Sequence, residues 1–484
     1  MLPRPNSKAV DRRMRLALPE AETPRRPAAD RVRDFEEAWT DVTLEWATAA
    51  ALRCIQCPAA PCVKACPVGN DIPHALWQLE HGRVEDAAQV FRATNSMPGI
   101  CGRICPQTEL CEGACVYTKQ ERAPVPIGRL EAWVVDQARG ETGQGLPLSP
   151  AGPTGRHVAI VGAGPAGITA AERLALRGHA VTLFDAWPEA GGLLLYGIPR
   201  FKLSPARVKD RLRRLGGLGV RRQCGTRIGD GLSVDDLLGR GFDAVLLAIG
   251  AGIGRPVSVA GADLDGVHPA TPFLVRTNTG VDLLPPGVEP LHTIGERVAV
   301  IGGGDTAMDC VRTALRLGAR EATVWYRRTE REMPGNPRDR QLAMQEGARF
   351  EWLASPRALK GDADGRVRTL ELVRMALGAA DASGRRWPSP VDGSSFEVPV
   401  DTVVLALGYL PDAGFVSGIA DLEVEADGRI RVDPKTGATS RPGIYAAGDD
   451  VLGPALVVDA VAHGIRASDS IHAFLAGGGS AAAR

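Results

Sequence analysis

At 484 residues, with 57 basic and 57 acidic side chains, the chain carries a formal net charge of zero. That length supports about two to four domains with full cores, and the charge balance excludes an overall basic field that would draw the protein onto nucleic acid or anionic membrane. No run of about 18 apolar residues marks a membrane span, and abundant glycine with few aromatics suits an α/β protein rich in nucleotide-binding turns.

The first segment, Met1 to Asp34, is rich in Arg, Pro and Ala and lacks the apolar stretch of a secretory signal. Glu20, Glu22, Asp30 and Asp34 interrupt it, which disfavours an organelle transit peptide and points to the cytoplasm. Phe35 to Arg53 reads as a helix leading into Cys54. Eight of the ten cysteines then fall in two blocks. The first block is Cys54, Cys57, Cys62 and Cys66, with Pro67 behind it; the second is Cys101, Cys105, Cys111 and Cys115. Soft thiolates converging on a small volume suit iron, and a trailing Cys-Pro follows the ferredoxin style in which the fourth cysteine serves a second cluster. The pattern predicts two iron–sulfur clusters with interleaved ligands. A pair of structural zinc sites would use the same Cys-x-x-Cys spacing, whereas a disulfide framework does not suit a chain without an export signal. Between the blocks, Ile72 to Thr94 predicts one or two helices broken near Gly82, with Leu76, Leu79, Val84, Ala88 and Val90 as the apolar stripe. A further helix is predicted from Leu130 to Ala138, with Glu131 at its start, and Gly140 to Gly155 reads as a linker.

Beyond the linker, short apolar runs alternate with helices. His157–Val161, Ala166–Arg177 and Ala180–Asp185 read as strand, helix and strand, and Arg297–Ile301, Asp305–Leu317 and Ala322–Tyr326 repeat the unit. Phe242–Ile249 and Val400–Leu407 read as strands, each ending in a glycine, Gly250 and Gly408. Ile444–Ala447 is a strand before Gly448, and Ala455–Phe474 a final helix. Leu359 to Glu397 is expected to form strands with long turns.

The first strand–helix turn carries Gly162, Gly164, Pro165, Ala166 and Gly167, a Gly-x-Gly-x-x-Gly dinucleotide fingerprint between a strand and a helix. Gly162 serves the tight turn, Gly164 lets backbone approach a pyrophosphate, and Gly167 lets helix and strand pack closely. The helix N-terminus faces the phosphates, and Asp185 at the end of the next strand suits a ribose diol. The second fingerprint is Gly302, Gly303, Gly304, Asp305, Thr306 and Ala307, with Ala307 in the third glycine position. Its following strand ends in Arg327 and Arg328 rather than an acid. Arginine there favours a 2′-phosphate and therefore NADP(H) over NAD(H). Gly448 and Asp449 after an apolar strand suit the ribityl chain of a flavin.

These motifs resemble the small (beta) subunit family of bacterial NADPH-dependent glutamate synthases, from about Arg33 to Phe474. The matching stretches are Cys54 to Pro67, Ile100 to Gln107, Leu110 to Cys115, Gly191 to Lys202, Gly302 to Arg312 and Tyr326 to Arg328. The same module is similar to the electron-input half of dihydropyrimidine dehydrogenase and of ferredoxin–NADP transhydrogenases. The resemblance implies an α/β chain with an N-terminal all-helical iron–sulfur domain and two doubly wound, Rossmann-like domains of the glutathione-reductase type. It implies FAD in the first nucleotide domain, NADPH in the second, and two 4Fe-4S clusters in the helical domain. By the same resemblance one cluster takes Cys54, Cys57, Cys62 and Cys115, and the other takes Cys66, Cys105, Cys111 and Glu131, with Cys101 as the rival fourth ligand. Gly192, Leu193, Lys202 and Gly250 are carried over as further cofactor-binding positions. Asp450 and Asp459 depart from the family, which has apolar residues there.

The expected organisation is an N-terminal arm (1–34), the cluster domain (35–140), a flavin domain (156–288 and 400–476), an NADPH domain (289–399) and a flexible tail (477–484). The expected function is electron relay: NADPH reduces the flavin, and the clusters feed a large subunit that makes glutamate from glutamine and 2-oxoglutarate. No side chain is required as acid, base or nucleophile. The alternative is a related subunit feeding a pyrimidine reductase or ferredoxin. A flavin disulfide reductase would need a dithiol, and Cys224 and Cys310 are far apart in sequence.

Overall fold

The computed structural model describes residues 1–5, 10–139, 149–257, 259–380 and 386–481. Its N-terminal part is helical. Thr43 caps the helix Leu44–Leu52 by accepting from the Trp46 N–H at 3.2 Å. That cap starts the helix later than the reading from Phe35 expected. The preceding segment instead lies extended, with Trp39 paired to Arg25 and Phe35 packed near Phe201. Ile72–Glu80 and Val84–Thr94 are two helices separated at Gly82, which takes a φ of 71°. Their apolar faces meet the helix Ile127–Gln137 in a core of Leu76, Leu79, Phe91, Leu130 and Val134. The helix Pro98–Ile104 packs on Ile127–Gln137 so closely that a Cβ on Gly102 would come within 2.6 Å of the Gly128 carbonyl. The N-terminal arm is bound to this body through Arg15, whose guanidinium makes two bonds of 2.6 and 2.7 Å to buried Glu80.

Two five-stranded parallel sheets follow. The first runs 444–446, 244–247, 157–161, 180–184, 221–223, and the second 267–269, 402–405, 297–301, 321–326, 349–352. Each central strand leads straight into a glycine turn and a helix, Pro165–Leu176 in the first sheet and Asp305–Arg316 in the second. Period-two alternation splits the central strand of the first sheet between two cores. Val158 and Ile160 face one, Ala159 and Val161 the other. Burial on both faces is why these strands read as continuous apolar runs. Helix Val457–Ala476 packs against Pro165–Leu176 on the first sheet, and a Cβ on Gly464 between them would meet the Ala166 carbonyl at 2.4 Å. In the second sheet, the far face is covered by an antiparallel sheet of 354–361, 367–380 and 386–399. This is the strand-and-turn region expected from Leu359 to Glu397.

Sheet membership differs from the domain division read from the sequence. Strands Val267–Pro269 and Thr402–Leu405 belong to the second sheet, not the first. The chain crosses between the folds at 253–254 and 409–410, which pair antiparallel. An apolar strand ending in glycine fits either sheet, and only the pairing partner decides. Of the linker, residues 140–148 lie outside the described residues, while Ala151 and Thr154 bond to the end of the fingerprint helix and the turn after it. The tail is held as far as Ala481, whose N–H donates to the Asp243 carbonyl at 2.7 Å, and 482–484 lie outside the described residues. Among the described residues, no helix is long and apolar enough to cross a membrane.

Candidate functional site

Both fingerprints open into one cavity of about 1270 Å³. Gly162 takes a φ of 104°, and a Cβ on it would strike the Ala248 carbonyl at 2.2 Å. In the second fold Gly302, at a φ of 143°, has the same relation to the Ala406 carbonyl, again at 2.2 Å. These turns need glycine on conformational and steric grounds together. Gly164 and Gly304 differ from them: a Cβ on either would meet no protein atom within 4 Å. The space before each helix is therefore open, and glycine as cap residue puts no side chain over the N-terminus. An open helix end of this kind fits the pyrophosphate of a dinucleotide. Gly167 and Ala307 do not line the cavity; Gly167 gives the close approach to the Gly162 carbonyl, and Ala307 is wholly buried in the second core.

Gly162, Gly164, Pro165, Ala166, Asp185, Gly192, Leu193, Gly250, Gly448 and Asp449 line the first half of the cavity. Asp185 is already engaged: one oxygen accepts from the Ala163 N–H at 2.7 Å and the other from the Trp187 N–H at 2.9 Å. It shapes the glycine turn from below, and burial pushes its carboxyl up. Burial, with Asp459 nearby, pushes Asp449 up to about 7. Asp459 itself accepts from the Leu456 N–H at 3.2 Å, at the start of the final helix. Asp450 is wholly buried behind the wall, where one oxygen accepts from the Ile249 N–H at 3.2 Å. Gly302, Gly303, Gly304, Asp305, Thr306, Arg327 and Arg328 line the second half.

Lys202 departs from the cofactor contact expected of it, and Arg328 lines the cavity while also serving the packing beneath it. Lys202 does not line the cavity. Its ammonium lies between Asp309 at 2.9 Å and Asp339 at 2.8 Å, a buried bridge from the first nucleotide fold to two helices of the second. Arg328 is 2% exposed. Its Nε donates to the Arg386 carbonyl at 2.9 Å and its guanidinium lies 5.8 Å from the Trp387 ring centre, so it ties the strand end to the antiparallel sheet. Arg327 is the exposed member of the pair. Sequence reasoning passed over Arg255 and Tyr409, which also line the cavity. The signal was available, since Tyr409 directly follows the strand-ending glycine Gly408.

The cysteines separate into two sets. Cys54, Cys57, Cys62 and Cys115 surround a narrow apolar cavity walled by Ile72, Leu76 and Val125. Burial pushes Cys62 up to about 12, with the neighbouring Cys115 and Cys57 adding to the effect. Cys66, Cys101, Cys105, Cys111 and Glu131 form the second set. Cys101 and Cys105 bias one another: the neighbouring Cys105 thiol lowers Cys101, while Cys101, together with burial, raises Cys105. Cys111 is raised by burial first and then by Glu112, Glu131 and Cys66. Glu131 is not at a helix start as expected. It lies in the second turn of Ile127–Gln137, fully inside, with one carboxylate oxygen accepting from Asn70 at 2.9 Å and Asn95 at 3.1 Å. Burial holds its pKa well above the usual carboxylate range. Among the described residues, no three of these groups close on a single metal ion. Soft donors in two enclosed sets fit the ligand chemistry of iron–sulfur clusters. Cys101 and Cys105 share a hydrophobic cluster with Ala163, Ala166 and Leu194 of the first nucleotide fold, while Cys54, Cys62 and Cys115 of the first set and Cys111 of the second pack in the helical core.

A family model described as pyridine nucleotide-disulphide oxidoreductase matches residues 156–464, and one described as dihydropyrimidine dehydrogenase domain II, 4Fe-4S cluster, matches residues 31–142. Over 93% of its length the chain is 40% identical to the glutamate synthase (NADPH) small chain of Azospirillum brasilense, 93% of which it covers. The chain belongs to the glutamate synthase small-chain family. Members of this family share their module with longer proteins. The chain is also 40% identical to the NADP(+)-dependent formate dehydrogenase subunit beta of Moorella thermoacetica, but covers 60% of that protein. Among solved structures, FprA from Mycobacterium tuberculosis aligns with 67% of the chain and 86% of its own, with a TM-score of 0.54 and 21% identity, which shows the common fold of the small-chain nucleotide domains.

Proposed function

We propose that the chain is the electron-input subunit of an NADPH-dependent glutamate synthase and works in the cytoplasm. It draws electrons from NADPH and delivers them to a large subunit that forms L-glutamate from L-glutamine and 2-oxoglutarate. One observation carries the reading: two cysteines of the second set, Cys101 and Cys105, share a hydrophobic cluster with Ala163 and Ala166 at the fingerprint turn of the first nucleotide fold. The nucleotide fold and the helical domain that carries the thiols are thus packed into one core.

Gly162, Gly164 and Pro165 hold the FAD pyrophosphate, and Gly448 and Asp449 meet its ribityl side. Gly302, Gly304 and Thr306 hold NADPH, with Arg327 on the 2′-phosphate. A flavin held there would supply the exchange of a hydride for single electrons, chemistry that the protein positions but does not perform. Cys66, Cys105, Cys111 and Glu131 hold the nearer 4Fe-4S cluster, and Cys54, Cys57, Cys62 and Cys115 the farther one. The walls of the cavity fix the two nucleotides; no side chain is needed to move a proton in the hydride step.

The test is reconstitution. Anaerobic holoprotein mixed with the large subunit should form glutamate from 2-oxoglutarate and glutamine with NADPH as the only reductant. Reduction of the chain by NADPH with no glutamate formed, but with transfer to a ferredoxin or pyrimidine reductase, would favour the second reading, which the description of the model matching residues 31–142 supports.

A further inference from the structure

A second cavity, of about 150 Å³, lies between the helical domain and the first nucleotide fold. The helix Val84–Thr94 and the end of Ile127–Gln137 wall one side, and Pro165–Leu176 and Pro205–Gly217 wall the other. Six arginines line it, Arg92, Arg139, Arg173, Arg207, Arg211 and Arg214, against two acids, Glu172 and Asp210. Five of the six have carboxylate partners: Arg139 has Asp210, Arg207 has Asp136 at 2.9 Å, Arg173 has Asp469 at 3.1 Å, and Arg211 and Arg214 divide Glu172 between them. Arg92 has no carboxylate partner among the described residues, and its Nη1 is buried without a hydrogen-bond acceptor. The Nε groups of Arg173 and Arg211 are likewise buried and unsatisfied, in the opposite wall. Burial, then the charges of Arg214 and Arg139, push Arg92 down to about 10, which still leaves it cationic at neutral pH.

Buried donors of one sign facing one another are costly unless an acceptor of opposite charge joins them. Guanidinium forks match planar or tetrahedral oxygens bidentately. We propose that this cavity binds a small oxyanion, a phosphate group or a dicarboxylate, held by Arg92 from the helical domain and by Arg173, Arg211 and Arg214 from the nucleotide fold. The anion joins the two domains across the contact through which electrons pass. Asn95 also lines the cavity, and its amide is one of the two that hold Glu131, so the occupant sits one side chain away from the second thiol set.

Melting temperatures of the anaerobic holoprotein decide the matter, measured at constant ionic strength with chloride alone, with inorganic phosphate, or with succinate. At least one of the two anions should raise the melting temperature by a few degrees over chloride. Arg92→Gln should abolish that response and should itself melt higher than the parent in chloride, because a like charge has gone. A response to phosphate alone assigns a phosphate-bearing ligand, and one to succinate alone a dicarboxylate. No response to either anion, or the same response in Arg92→Gln, overturns the proposal. Should Arg92→Gln fail to fold, Arg214→Gln on the opposite wall must raise the half-saturating anion concentration at least tenfold, and an unchanged value overturns it equally.

Discussion

Arg327 stands exposed at the cavity wall, whereas Arg328 is 2% exposed and bonded to the backbone of Arg386. The two should therefore fail differently. A charge-assisted contact to a 2′-phosphate is worth about 1.5–3 kcal/mol, so Arg327→Ala should raise the KM for NADPH by about 10- to 100-fold and leave that for NADH nearly unchanged. Arg328→Ala should mainly lower the melting temperature. Equal losses with both nucleotides in Arg327→Ala would refute the assignment. The second thiol set poses a similar contrast, because five candidate ligands converge where a cluster needs four. Glu131→Ala should lose about four irons per chain, while Cys101→Ser should keep about eight; iron analysis and the visible spectrum report both. The reverse pattern would make Cys101 the ligand. The Glu131–Cys101 rivalry comes with the family resemblance, but the arginine contrast was not visible in sequence: two adjacent arginines read alike, and only packing separates the exposed one from the buried one.

At the level of elements, glycine decides how closely helices meet around the cysteines. A Cβ on Gly102 would press on the Gly128 carbonyl and, at 2.7 Å, on the Ala132 N–H, both backbone atoms that cannot turn aside. Gly102→Ala should push Pro98–Ile104 away from Ile127–Gln137, at a cost of about 1–3 kcal/mol, and lower the iron content by displacing Glu131 from Cys105. Full iron occupancy at an unchanged melting temperature would show that the helices tolerate the shift. Packing of this kind also governs which elements are legible in sequence. Strands such as His157–Val161 and Arg297–Ile301 were legible because both faces are buried and a glycine turn ends each one. Thr402–Leu405 was assigned to the wrong sheet because strand pairing is non-local, and Phe35 to Val42 was over-read because the Thr43 cap fixes the helix start. Lys202 lies within a stretch that matches the family, yet its partners Asp309 and Asp339 are more than a hundred residues away, beyond any local pattern.

On the scale of the whole molecule, the Lys202 bridge sets a pH dependence. Asp309 is pushed up to about 6, chiefly by burial, while Lys202 and Arg312 hold Asp339 below its usual range. Lys202→Met removes the shared cation and leaves two buried carboxylates facing each other, at a cost of about 3–5 kcal/mol. Both carboxyls then rise, so the folded variant binds protons that the unfolded chain releases, and its stability falls as pH rises. The variant should accordingly lie closest to the parent near pH 5 and fall furthest below it at pH 8; melting curves at the two values check this, and a constant gap would exclude the carboxylates as the cause. The helix Pro337–Gln345 has a wider part in the assembly. Asp339 on it holds the first nucleotide fold through Lys202, the adjoining Arg338 donates to Gln107 at 2.5 Å and to the Cys105 carbonyl at 3.3 Å, and Gln345 receives Arg31 of the N-terminal arm at 2.9 Å. A single helix of the NADPH fold is thus geared to every other part of the chain. A swing of that fold on nucleotide docking cannot stay local: it must pull on the backbone of Cys105, so NADP⁺, which delivers no electrons, should still alter the electron paramagnetic resonance lines of the nearer cluster in chemically reduced protein, and Arg338→Ala should uncouple the two.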